Sequence, residues 1–122
     1  MISARKLIEW FYYMYNNNWG YIWGKSGQKW TQAMQDQATN DMAVRYGKKW
    51  IGHYVTDCSG AFVFTYKKEG GKIYHGSNTI FKKYCSSTGK LRKGVREDGE
   101  EIRPGTAVFL LKDGNRHHIG LY

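Results

Sequence analysis

Cys58 lies in the run Asp57-Cys58-Ser59-Gly60, directly ahead of the apolar stretch Ala61-Phe62-Val63-Phe64. A thiol among small polar residues, where a loop turns into an apolar helix, is placed for chemistry more than for packing. A helix N-terminus carries roughly half a positive charge and free backbone N–H groups, and both favour the nucleophilic thiolate. Sixty residues on comes His117-His118-Ile119-Gly120-Leu121-Tyr122. A cysteine opening a helix and a histidine opening a strand, distant along the chain, is the pattern of a nucleophile and its base. Strand alternation puts His118, Gly120 and Tyr122 on one face and His117 and Ile119 on the other. Gly120 beside His118 leaves a gap where a substrate could lie, so His118 is the better base. Asp57 is expected to hold the turn by hydrogen bonds, since a carboxylate beside a thiol opposes its ionisation. Gly60 lets another backbone or a substrate come close.

Other chemistry fits less well. Cys58, Cys85 and the histidines fall into no zinc-ligand spacing, and nothing calls for a cofactor. Cys85 is expected to pack as a small hydrophobe, and His53 and His75 read as loop or surface residues. The two cysteines sit in no disulfide-scaffold composition.

The elements that must position the pair follow from periodicity. Leu7, Trp10, Phe11 and Met14 mark an amphipathic helix over 3–16, stopped by Asn16-Asn17-Asn18 and Gly20. Tyr21-Ile22-Trp23-Gly24 is a short aromatic segment ending in a glycine turn. Trp30, Met34, Ala38, Met42 and Tyr46 predict a long helix over 28–46, with Gly47 as its C-cap. A third helix runs over 58–69 to Gly70-Gly71. A fourth spans about 79–86, capped by Ser77 or Asn78, with Ile80, Phe81 and Tyr84 inward. Residues 86–104 read as an exposed polar loop. Ala107–Leu111 is a buried strand, Asp113-Gly114-Asn115 a hairpin turn, and 117–122 the return strand.

With 122 residues, 41% hydrophobic and 16% aromatic, the chain is sized for one domain. Its five Trp and ten Tyr exceed what a small core requires, so some are expected to line a groove. The 19 Lys+Arg against 10 Asp+Glu give a net charge of +9, which speeds encounter with polyanions. No nucleic-acid-binding signature is visible, so no nucleic acid is expected as a partner. The N-terminus has no secretory apolar run, and no stretch approaches the length of a membrane span.

Asp57-Cys58-Ser59-Gly60, Arg103-Pro104-Gly105-Thr106-Ala107-Val108-Phe109 and His118-Ile119-Gly120-Leu121-Tyr122 resemble, in order and spacing, the motifs of NlpC-type cell-wall cysteine peptidases. Tyr21-Ile22-Trp23-Gly24 resembles their aromatic-glycine motif, and the likeness runs from about Tyr21 to the last residue. The stretch Lys25 to Val55 and the basic surface resemble phage-type lysins or tail-associated hydrolases of Gram-positive hosts. The resemblance implies a papain-like α+β fold, with N-terminal helices packed on a small antiparallel sheet and the nucleophile at a helix N-terminus. It implies a peptidoglycan endopeptidase cutting stem peptides after a D-γ-glutamyl unit, with Cys58 as nucleophile and His118 as general base. The Cys58 N–H would contribute to an oxyanion hole. Tyr21, Trp23, Ser59 and Gly120 are then the substrate-binding candidates. Partners would be peptidoglycan and anionic wall polymers, reached after phage-type release from a bacterial cytoplasm or from a virion.

Two departures stand out. Thr106 occupies the place of the family's Asp. The polar residue that orients the histidine, normally on the next strand, would fall beyond Tyr122, so the expectation is a single domain lacking its last strands. Two other readings use the same residues: a CHAP-type N-acetylmuramoyl-L-alanine amidase, and a catalytically silent wall-binding module.

Overall fold

The computed structural model describes residues 2–122 and is mixed α+β. Helix α1 spans Ala4–Asn16, with the Ser3 hydroxyl accepting from the Lys6 N–H as N-cap and Leu7 and Met14 buried. Strands β1 (Gly20–Tyr21), β2 (Ser26–Lys29) and β3 (Tyr54–Thr56) form the first sheet, in the order β1-β3-β2. Helices α2 (Gln32–Asp36) and α3 (Asp41–Tyr46) and a 3₁₀ turn, Lys48–Trp50, lie between β2 and β3. Then come α4 (Cys58–Lys68), α5 (Ser77–Tyr84), the hairpin β4 (Leu91–Arg92) and β5 (Val95–Arg96), and the hairpin β6 (Ala107–Lys112) and β7 (Asn115–Leu121).

The expected single antiparallel sheet is therefore replaced by three small ones, and β1 pairs with β3 in parallel. The long connection between β1 and β3 permits that direction, as parallel neighbours require a crossover. The expected helix over 28–46 is also corrected. A four-residue step turns a helix by about 400°, so a strict four-residue stripe drifts roughly 40° per step and cannot stay on one face. The chain instead spends 26–29 on β2, begins α2 at the Thr31 cap and α3 at the Asn40 cap. Trp30 alone of that stripe is deeply buried, while Tyr46 is exposed.

Two apolar clusters result. Ile22, Trp30, Ala43 and Val55 form one, with Met34, Ala38, Trp50 and Ile51 against it. Leu7, Phe62, Ile73, Ile80 and Ile119 form the other, with Cys58, Phe109 and Leu121 among the residues packed on it. The chain passes from the first cluster to the second between Val55 and Cys58. The nucleophile candidate thus sits at the junction of the two halves of the core.

The C-terminal part departs from expectation in burial. Leu110 and Leu111 are exposed at 60% and 54%, so β6 is not a buried strand. Within 86–104, Lys93 and Gly94 both take positive φ and turn the β4–β5 hairpin. Helix α5 starts at Ser77, without a side-chain cap, because the Ser77 hydroxyl donates to the Arg116 carbonyl and Asn78 Oδ1 accepts from the Arg116 N–H. Tyr84 faces solvent, not the core.

Candidate functional site

Helix α4 begins where Asp57, in extended conformation, ends β3 and caps the helix by accepting the Gly60 N–H at 2.7 Å. Lys67 and Lys68 in the last turn complement the opposite end of the helix dipole. Cys58 is the first helical residue and is half-buried. Gly60 is required here, and what comes close is backbone: an added Cβ would lie 2.0 Å from the Lys25 carbonyl oxygen. That carbonyl already accepts from the Asp57 N–H at 2.8 Å and from the Thr56 hydroxyl at 3.3 Å. The loop Ile22–Lys25 is thereby clamped against the start of α4.

The clamp has a second arm. Asp57 Oδ2 accepts the Gly24 N–H at 2.7 Å, and Oδ1 also accepts from His75 Nε2 at 2.7 Å. Asp57 is only 7% exposed, so its carboxylate is satisfied by three donors as a buried charge must be. Its expected structural role is what the geometry shows. His75, in a loop as the sequence reading has it, is half-buried and bonded to this carboxylate. His53, likewise in a loop, is half-buried, bonds the Asn18 carbonyl through Nδ1 and meets the Trp50 ring edge-on.

Tyr21, at the end of β1, turns its phenol toward the nucleophile. Burial first, then negative charge on Cys58 and Asp57, push its pKa up to about 12. Hydrogen bonding with the Cys58 side chain acts in the same direction, and the Cys58 backbone acts against it. The phenol therefore stays an O–H donor throughout the neutral and mildly alkaline range. Trp23 is 63% exposed on the same loop.

The structure brings Tyr21, Asp57, Cys58 and His75 together, with Trp23 nearby on the clamped loop. It does not place Ser59 with them at the surface: Ser59 is 4% exposed, one residue into the helix on its inward side. His118 is exposed on β7, paired with Leu110. Its neighbour Ile119 is 2% exposed and faces the core that Cys58 packs on, so alternation turns His118 to the other face. Among the described residues no hydrogen bond joins Cys58 to His118. His117 is the extra residue of a β-bulge, since Leu110 pairs with His118 and Leu111 with Arg116. Gly120 has room beside it, with only Val108 Cγ2 at 3.6 Å from a would-be Cβ.

A concavity of about 700 Å³ lies among the two hairpins and the end of α5 and includes neither Cys58 nor His118. Its one thiol, Cys85, has its pKa raised by burial, which favours the unreactive protonated form. The two thiols are not joined. Among the described residues no helix is long and apolar enough to cross a membrane. No family model, no curated protein and no solved structure matches the chain.

Proposed function

We propose that the protein is a cysteine hydrolase of the bacterial cell wall, of NlpC type and papain-like in plan, cutting peptidoglycan stem peptides after a D-γ-glutamyl unit. One observation carries this reading: a half-buried thiol at the first residue of a capped helix, faced by a phenol that stays protonated. The resemblance of the motifs around Cys58, Pro104 and His118 supplies the substrate class.

In this mechanism the Cys58 thiolate attacks the peptide carbonyl, and the carbonyl oxygen takes up the negative charge. Free N–H groups at the start of α4 and the Tyr21 hydroxyl are the donors available to that oxyanion. His118, having taken up the Cys58 thiol proton, passes it to the leaving amine, which frees the first product. Water then attacks the thioester, and the acid product departs with the thiol restored. For this β7 has to turn its His118 face, which points away from the core that Cys58 packs on, toward the sulfur. The bulge at His117 is the place where such a strand is re-aimed.

Purified cell walls test the reading. Cys58→Ala is expected to abolish clearing, whereas Cys85→Ser leaves it unchanged. Clearing by Cys58→Ala at the parent rate would overturn the assignment. Mass spectrometry of the fragments separates this activity from an amidase, which releases intact stem peptides from the sugar.

A further inference from the structure

We propose that His75 is a positioning residue for the Cys58 nucleophile, acting through the Asp57 carboxylate that it bonds from the loop between α4 and α5. The proposal rests on the reading of Cys58 as a nucleophile and adds a residue that this reading did not contain. A carboxylate only accepts, so His75 Nε2 carries a hydrogen and donates it to Oδ1. The other two donors to Asp57 are backbone N–H groups, of Gly24 and Gly60, which a side-chain substitution at their positions would not remove. Among the described residues His75 is the one side chain bonded to this carboxylate.

The consequence for Cys58 is electrostatic and geometric at once. Each N–H bonded to the buried carboxylate beside the thiol holds its charge at a fixed place next to the sulfur. The same bond keeps Oδ1 at the Gly60 N–H, which fixes the first turn of α4 and the sulfur with it. His75 is itself held from both sides. Ile73, two residues before it, is buried in the cluster on which Cys58 packs. Ser77, two residues after it, bonds the Arg116 carbonyl on β7. The loop therefore ties the strand that carries His118 to the residue that caps the nucleophile helix.

Alkylation of the full chain in a Cys85→Ser background tests this, because Cys58 is then the sole thiol. The probe is iodoacetamide at fixed neutral pH, with thermal unfolding followed in parallel. His75→Leu is expected to slow alkylation of Cys58 about tenfold, by loss of a charge-assisted bond next to the sulfur. His75→Gln, whose amide N–H can reach the same oxygen, is expected to stay within roughly twofold of the parent. Should His75→Leu fail to fold, the Gln variant is compared with His75→Met, which has similar length and no donor. Equal rates for Gln and the donor-free variant would overturn the proposal, as would a parent rate in His75→Leu. A parent alkylation rate combined with lost wall hydrolysis would also overturn it, making His75 a base and not a positioning group. Alkylation reports on the sulfur whatever its substrate, so failure of the wall-clearing test leaves this result readable.

Discussion

A Cβ added at Gly60, two residues past Cys58, would lie 2.0 Å from a backbone oxygen; one added at Gly120, two past His118, would meet nothing nearer than 3.6 Å. The contrast extends outward. The thiol region is fixed by a buried carboxylate with three donors and by the doubly bonded Lys25 carbonyl. The β6–β7 hairpin contributes a single buried residue, Ile119, and is tied to α5 through Arg116. One side of the candidate site is set to a definite geometry by the fold. The other is a two-stranded ribbon held on α4 and α5 by Ile119, Phe109 and Arg116, with its His118 face open.

The sharpest way to break the contrast is Gly60→Ala. It should destabilise the protein by about 3 kcal/mol or more, because the clashing atom is backbone and cannot swing aside; thermal unfolding measures it. Ile119→Ala comes next, at about 2 kcal/mol, near the lower end for a buried Ile because the half-exposed hairpin can settle into the space. Its alkylation rate at Cys58 should change little, whereas that of Gly60→Ala should not survive. A still smaller effect belongs to Tyr21. Its folded pKa lies above the ordinary value of 10.0, at about 12, so the unfolded chain loses this proton first. Stability from this group is intact below pH 10 and is lost as pH rises from about 10 to 12. Tyr21→Phe should therefore flatten part of the alkaline fall in Tm, with Tyr66 and Cys85, also raised by burial, retaining the remainder. Gly120→Ala should be the mildest of all for folding, within about 0.5 kcal/mol. Wall hydrolysis should nevertheless slow by roughly tenfold if substrate lies beside His118.

Much of this was legible in the chain itself. Asp57 before Cys58, followed by a small apolar run and Gly70-Gly71, is a local signal for a capped helix, and α4 appears with those ends. The turn at Asp113-Gly114 is likewise local. What escaped was decided at a distance. Residues 26–29 became a strand because β3, far along the chain, offered its edge, and no window around Trp30 contains that fact. Ser77 and Asn78 look like caps, but Arg116 takes both side chains. His75 carries no signal of its own. Its importance comes from a carboxylate 18 residues earlier, and a lone histidine after a glycine pair reads as surface.

The Asp57 carboxylate draws on Gly24, 33 residues before it, and on His75, 18 residues after it. No excised peptide spanning only the thiol and its helix would contain both partners. While the chain is being made, the sulfur is present long before its surroundings are, and behaves as any cysteine in a flexible polymer would. Competence then arrives together with the closure of the stretch from Gly24 to His75, so labelling of Cys58 doubles as a clock for that event.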